Sequence, residues 1–276
     1  MDITLLGTGT PIPDADRAGP STLVTSGDDG AEKVLIDAGR GCVMRLAAVG
    51  SFPVQLQGVL VTHLHSDHLT DLNDLITTHW VMTNEPTPLR IWGPPGITRF
   101  VEHILAALGP DIGYRIAHHD DLTWEPVVDV VEVDPGDSFA VGSMSVAVYE
   151  TVHAPVEPAV GYRIEHDGRV AAIAGDTIPC PGLDRLVENA DVYVQTVIRD
   201  DIVKLLPVPR MHDILDYHSS VAQAAETAAR AGVGTLLLTH YVPAPRADQY
   251  DEWKAIAAAR FDGEIVMGDD LTKVTI

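Results

Sequence analysis

Between positions 63 and 68 the chain reads His-Leu-His-Ser-Asp-His, placing four cation-binding side chains within six residues. The apolar run GVLVT leads straight into them, so the cluster stands at the end of a strand. Side chains two apart in an extended segment point the same way, which lets His63 and His65 grip one cation. Asp67 and His68 follow as the chain turns toward a helix, and their side chains diverge from that pair, which suits a second cation nearby. Imidazole with carboxylate is a donor set for zinc, or for iron or manganese. Two cations need further ligands. The apolar runs AVYETVH, VAAIAGD and GTLLLTH end at His153, Asp176 and His240, and strand ends are where open α/β sheets place ligand sites. Asp176, in a glycine turn, has two oxygens with which to bridge both ions.

The elements that must position these groups are also visible. Short runs rich in Val, Ile, Leu and Thr, bounded by Gly, Pro or Asp, recur from ITLLG at the N-terminus to TKVTI at the C-terminus, as buried or half-buried strands do. Helical patterns lie between some of them, over 69–82, 97–108, 183–189, 219–231 and 248–260. About a dozen strands with interspersed helices predict a layered α/β fold. Their even spread predicts one domain over residues 1–276. The early GTGTP segment has no third glycine and carries Pro11 and Pro13 where a dinucleotide-binding helix would start, so it reads as a tight turn.

The ordered set H-x-H-x-D-H, His153, Asp176 in GDT, and His240 resembles the ligand motifs of the metallo-β-lactamase superfamily. LLGTGTPIP, STLV, VLIDAGRG, GYR at 161–163 and YHSSVAQAAETAARAGVGTLLLTHY are similar to its ribonuclease Z branch, and the likeness covers essentially the whole chain. The resemblance implies a four-layer αβ/βα sandwich with a dinuclear site at the edge between two sheets. It assigns His63, His65 and His153 to one metal and Asp67, His68 and His240 to the other, with Asp176 bridging. Zn2+ is the expected metal, with Mn2+ or Fe as alternatives. Asp67 and His218 are the expected catalytic residues. Such a pair of ions would acidify a bridging water to attack an ester, and His218, matching the family's H-S-T histidine, would protonate the leaving group. Asp37 is expected to orient a ligand histidine rather than bind metal.

Three features point away from a tRNA-processing enzyme. Only 22 residues separate His153 from Asp176, which leaves no room there for a long basic arm. With 40 acidic and 18 basic residues the formal charge is −22, and phosphate-backbone binding needs clustered positive charge. Thr196 stands where the family's H-E-A-T segment has the glutamate that partners the H-S-T histidine. The sequence-based expectation is therefore a hydrolase of small phosphodiesters or sulfate esters, with nucleic acid disfavoured as a partner. Lactone hydrolysis, tRNA 3′-end processing and a di-iron redox protein are the alternatives. A homodimer fits the resemblance. Cys42 and Cys180 lie outside any CxxC pattern and read as reduced thiols. With no basic n-region before the first apolar run and no membrane-length apolar stretch, a cytoplasmic location is expected.

Overall fold

A computed structural model describes residues 1–27 and 30–276. Two seven-stranded sheets face each other. The first contains β1 (Asp2–Gly7), β2 (Ser21–Ser26), β3 (Glu32–Ile36), β4 (Gly58–Leu60), β5 (Leu89–Gly93), β6 (Val128–Glu132) and β14 (Lys273–Thr275), in the order β14-β1-β2-β3-β4-β5-β6. The second contains β7 (Ser138–Val141), β8 (Met144–His153), β9 (Val156–His166), β10 (Arg169–Ile173), β11 (Val192–Ile198), β12 (Thr235–Val242) and β13 (Glu264–Met267), ordered β13-β12-β11-β10-β9-β8-β7. Each sheet is antiparallel at one side and parallel at the other. The parallel parts are β3 to β6 and β10 to β13.

Parallel neighbours cannot be joined by a tight hairpin and need crossovers, and the helices fill that role. Around the first sheet these are α1 (Cys42–Ala48), α2 (Leu72–Met82) and α3 (Ile97–His118). Around the second they are α4 (Pro181–Val187), the short α5 (Asp200–Val203) and α6 (Pro209–Asp213), then α7 (Val221–Arg230) and α8 (Tyr250–Ala258). Three apolar cores record the layering. Ile3, Val24, Ile36 and Leu60 of the first sheet meet Val146, Val160, Ile173 and Val194 of the second in the central core. Leu46, Leu72 and Ile97 seat helices on the outer face of the first sheet. Leu183, Ala225 and Trp253 do the same for the second. The fold is the four-layer αβ/βα sandwich of the α/β class.

Several elements depart from the sequence reading. β7 escapes it because SFAV is short and only one of its four residues is buried. α3 runs ten residues past 108, through Gly109 and Pro110, since its outer half needs no continuous apolar stripe. The helix expected from Leu69 begins at Leu72, after a 3₁₀ turn over Ser66–His68. The interval between His153 and Asp176 is consumed by β9 and β10. Among the described residues no helix is long and apolar enough to cross a membrane.

Candidate metal centre

The parallel strands β3, β4, β10 and β12 end at one edge of the sandwich, and β8 delivers its last residue to the same place. β4 stops at Leu60, and the loop after it carries Thr62, His63 and His65 before the 3₁₀ turn carries Asp67 and His68. His153 ends β8, Asp176 follows β10, and His240 sits late in β12 with φ 51°. Asp37, just past β3, has φ 60°. Left-handed backbone at non-glycine residues costs roughly 1–3 kcal/mol and marks places where the surroundings dictate the conformation. Glycine is needed where this loop passes closest: a Cβ on Gly39 would stand 2.5 Å from the Asp67 carbonyl oxygen.

The seven sequence-predicted ligands converge. His65 Nδ1 lies 3.2 Å from His63 Nε2 and 3.0 Å from His153 Nε2. Asp176 Oδ2 lies 3.8 Å from His63 Nε2, 3.7 Å from His153 Nε2, 3.5 Å from His68 Nε2 and 3.7 Å from His240 Nε2. Asp67 Oδ2 is 3.2 Å from His240 Nε2 and 3.8 Å from His68 Nε2. His63, His65, His153 and Asp176 form one group able to hold a cation, and Asp67, His68 and His240 form a second. Two ligand atoms about 2.1 Å from one tetrahedral zinc lie about 3.4 Å apart, and the observed spacings bracket that value.

The tautomers fixed by the outer hydrogen bonds fit a metal as well. Thr62 Oγ1 donates to Asp37, so at 3.0 Å it accepts from His63 Nδ1–H. His68 Nδ1–H donates to Asp37 Oδ2 at 2.7 Å, and His153 Nδ1–H to the Tyr217 carbonyl at 2.8 Å. Each bond puts the proton on the outer nitrogen and turns the Nε2 lone pair inward. Inside, His68 Nε2 and Asp176 Oδ1 are buried with no hydrogen-bond partner, an arrangement that costs free energy unless a cation or water completes it. Burial pushes His63 well below the ordinary histidine value and His153 down to about 4, which keeps both neutral, as ligands must be. Burial opposes charge on His68 too, but Asp176 and Asp37 outweigh it and hold its pKa well above the usual range. Asp176 is buried, yet His240, His68 and His218 hold its carboxyl well below the usual carboxylate value.

His218 Nε2 is 3.1 Å from Asp176 Oδ2, and its Nδ1–H donates to the Ile214 carbonyl at 3.2 Å. Thr196 takes no part in this: its hydroxyl donates to the Gly175 carbonyl at 3.1 Å. A backbone carbonyl thus does what the sequence reading assigned to a glutamate at position 196. Asp71 is half-buried and stands apart from the seven converging groups; its Oδ2 accepts from the Val43 amide at the start of α1. His212 is exposed, with Nε2 2.9 Å from the Leu206 carbonyl oxygen, and stays outside the centre. Trp80 is core, donating to the Trp124 carbonyl, whereas Met211 lines the active cleft.

That cleft, of about 280 Å³, is walled by Ile214 and Tyr217 from the insertion over 199–217, a wall the sequence suggests, and by Thr10–Ile12 and Val242, which it does not. The GTGTP segment runs on from β1 as an irregular loop, its Gly9 amide donating to the Ala18 carbonyl at 2.7 Å, and its end faces the centre. Its proline pair was the available signal, because Pro11 and Pro13 on either side of an exposed Ile12 fix a loop without burying it.

Residues 32–241 match the Beta-lactamase superfamily domain. The chain is 54% identical over 278 residues to a protein named Ribonuclease Z from Mycolicibacterium gilvum, covering 100% of this chain and 96% of the relative. It is 53% identical over 279 residues to a Ribonuclease Z from Mycobacterium bovis, covering 100% and 98%. Among solved structures, the metallo-beta-lactamase fold protein YhfI from Bacillus subtilis superposes with a TM-score of 0.76 at 21% identity, covering 99% of this chain and 98% of that one. The short form of human tRNase Z gives 0.70 at 22% identity, covering 100% and 99%.

The expectation of a small ester substrate with nucleic acid disfavoured is corrected by these relatives, which match end to end and carry a ribonuclease name. The physical error lies in the −22 charge: net charge sets the far field, while contact with a phosphate backbone depends on a few local cations. The missing arm and the threonine at 196 misled for the same reason, since each is one feature and not the whole interface. Fold, donor groups and full-length relatives agree: the chain belongs to the beta-lactamase superfamily and is a metal-dependent hydrolase acting on ester bonds.

Proposed function

We propose that the chain is a ribonuclease Z, a phosphodiesterase that processes the 3′ end of precursor tRNA. The observation carrying this reading is the match at 54% identity, along the whole chain, to a protein of that name. Two divalent cations, with zinc best suited to imidazole-rich donors, would be held by His63, His65 and His153 and by Asp67, His68 and His240, with Asp176 shared. When bound they would acidify a water and polarise the phosphate oxygens.

The rest falls to the chain's own atoms. Asp37 accepts from the Thr62 amide at 2.8 Å and from His68 Nδ1, and so locks the ligand loop to the end of β3. Asp67 is fixed by the 3₁₀ turn and by His240. His218 is tethered at Nδ1, which leaves Nε2 at the cleft as the atom that passes a proton to the leaving oxygen. Apart from the groups of the centre itself, the cleft wall contains no Arg, Asn or Gln able to read a base edge, which suits an enzyme that cuts at a position set by RNA shape.

The test is cleavage of a transcribed precursor tRNA carrying a 3′ trailer, with zinc-loaded protein and with His63→Ala and Asp176→Ala as controls. The expected result is a single cut at the trailer junction, lost in both variants. Turnover of an aryl phosphodiester with the precursor left intact would refute the RNA reading.

A further inference from the structure

We infer that Arg40 and Arg210 are the phosphate contacts through which this acidic protein holds an RNA backbone beside its cleft. The inference rests on the RNA reading above and gives it a surface.

Most cations in the chain are already committed. Arg17 and Arg45 pair with Asp269 and Asp270, Arg199 with Asp201 and Glu252, Arg230 with Asp184, and Lys273 with Asp2. Similar pairs take Arg115, Arg163, Arg169, Lys204, Arg246 and Arg260. A paired cation offers little to a phosphate, because engaging it means giving up its carboxylate. Arg40 and Arg210 are exposed, and their side chains make no ion pair or hydrogen bond among the described residues. Arg90, Arg185 and Lys254 are free as well, but they stand on β5, α4 and α8, none of which contributes a residue to the cleft.

Arg40 and Arg210 ride on the two segments that fix the centre. Arg40 follows Ala38 and Gly39. The Ala38 amide donates to the His68 carbonyl at 2.7 Å, Ala38's own carbonyl accepts from the Asp71 amide at 2.9 Å, and Gly39 presses against the Asp67 carbonyl. Arg210 immediately precedes Met211 in α6. Met211, Ile214 and Tyr217 line the cleft, and the carbonyls of Ile214 and Tyr217 hold His218 and His153. Both arginines therefore grow from backbone that adjoins the centre, Arg40 next to the segment bonded to the ligand loop and Arg210 next to a cleft-lining residue. Guanidinium is suited to the task, since its planar fork meets two phosphate oxygens at once. The α6 segment also carries Asp213 and Asp216, so the positive region is small and the contact is with phosphates next to the site, not with a distant stem.

The experiment is equilibrium binding of fluorescein-labelled precursor tRNA to the zinc-loaded full chain, followed by anisotropy from 50 to 300 mM KCl. His218→Ala is the parent, to prevent turnover while keeping the metal ligands. Adding Arg40→Gln or Arg210→Gln should each lower the slope of log K against log salt by about 1, and the pair by about 2. Each should weaken binding roughly four- to sixfold at 0.15 M salt. Arg90→Gln and Arg185→Gln should leave slope and affinity unchanged. Thermal melts report whether each variant stays folded. If the unaltered protein cuts the precursor but the Arg40 and Arg210 slopes equal the parent's, the inference falls and the RNA reading stands. Absence of any salt-dependent RNA binding overturns both.

Discussion

Replacing Asp37 by Asn should uncouple metal binding from folding. The substitution is nearly isosteric, and asparagine tolerates φ near 60° better than most residues, so the backbone strain is unchanged. One oxygen remains to accept from the Thr62 amide, now held at 2.8 Å. The amide nitrogen must then face His68 Nδ1, which at 2.7 Å currently donates to a carboxylate. Two N–H groups cannot share that space, so His68 shifts its proton to Nε2 and Nδ1 becomes the acceptor. Nε2 is the nitrogen 3.5 Å from Asp176 Oδ2 that has no hydrogen-bond partner of its own, and a proton there removes the lone pair a cation would use. Loss of such an orienting carboxylate typically costs 10- to 100-fold in metal affinity or activity, which is about 1.4–2.8 kcal/mol. Zinc content after dialysis against a graded chelator should show one ion retained at its original affinity and the other lost earlier by that factor. The melting temperature of EDTA-treated protein should move little. If both zinc ions are held as tightly as in the unaltered protein, the tautomer argument for Asp37 is wrong.

Gly39→Ala should lower both stability and zinc retention, because the new methyl would stand 2.4–2.5 Å from backbone of Gly19, Pro20 and Asp67; overpacking of this kind costs about 1–3 kcal/mol, read by urea titration. Cys180 should be alkylated by iodoacetamide in the native protein while Cys42 is spared, since Cys42 is buried and burial raises its thiol well above the ordinary value; peptide mapping showing equal labelling would contradict the packing of α1. Thr196→Val should cost about 1 kcal/mol of stability through its lost bond to the Gly175 carbonyl and leave kcat nearly unchanged. A fall in kcat comparable to that of His218→Ala would mean that position 196 does act through the histidine.

Legibility followed the length scale of each cause. The strand positions were readable because period and composition are local, and so was the convergence of His63, His65, Asp67, His68, His153, Asp176 and His240, since the first four follow one apolar run and the other three each end or follow another. β7 and the outer half of α3 were not readable, because they lie at the margin where burial no longer writes a pattern. The Thr10–Ile12 side of the cleft was invisible for a different reason. Ile12 and Tyr217 are far apart in sequence and meet only because β1 and the segment before α7 belong to different sheets.

The wrong inference about the partner and the weight placed on Thr196 have one origin. Both treated a side-chain type as the carrier of a property that the fold assigns to something else. The absence of a glutamate at 196 seemed to leave His218 without an orienting group, but the turn after α6 supplies the Ile214 carbonyl, and any residue at 214 would supply the same oxygen. Likewise −22 is a sum over the whole chain, and a phosphate at the cleft meets only the few groups within a Debye length of about 8–10 Å. Backbone acceptors and the pairing state of charges are properties of three-dimensional arrangement. They weaken arguments from a missing residue more than arguments from a present one, which is why the convergence of seven donor side chains could be read from the sequence and the substrate could not.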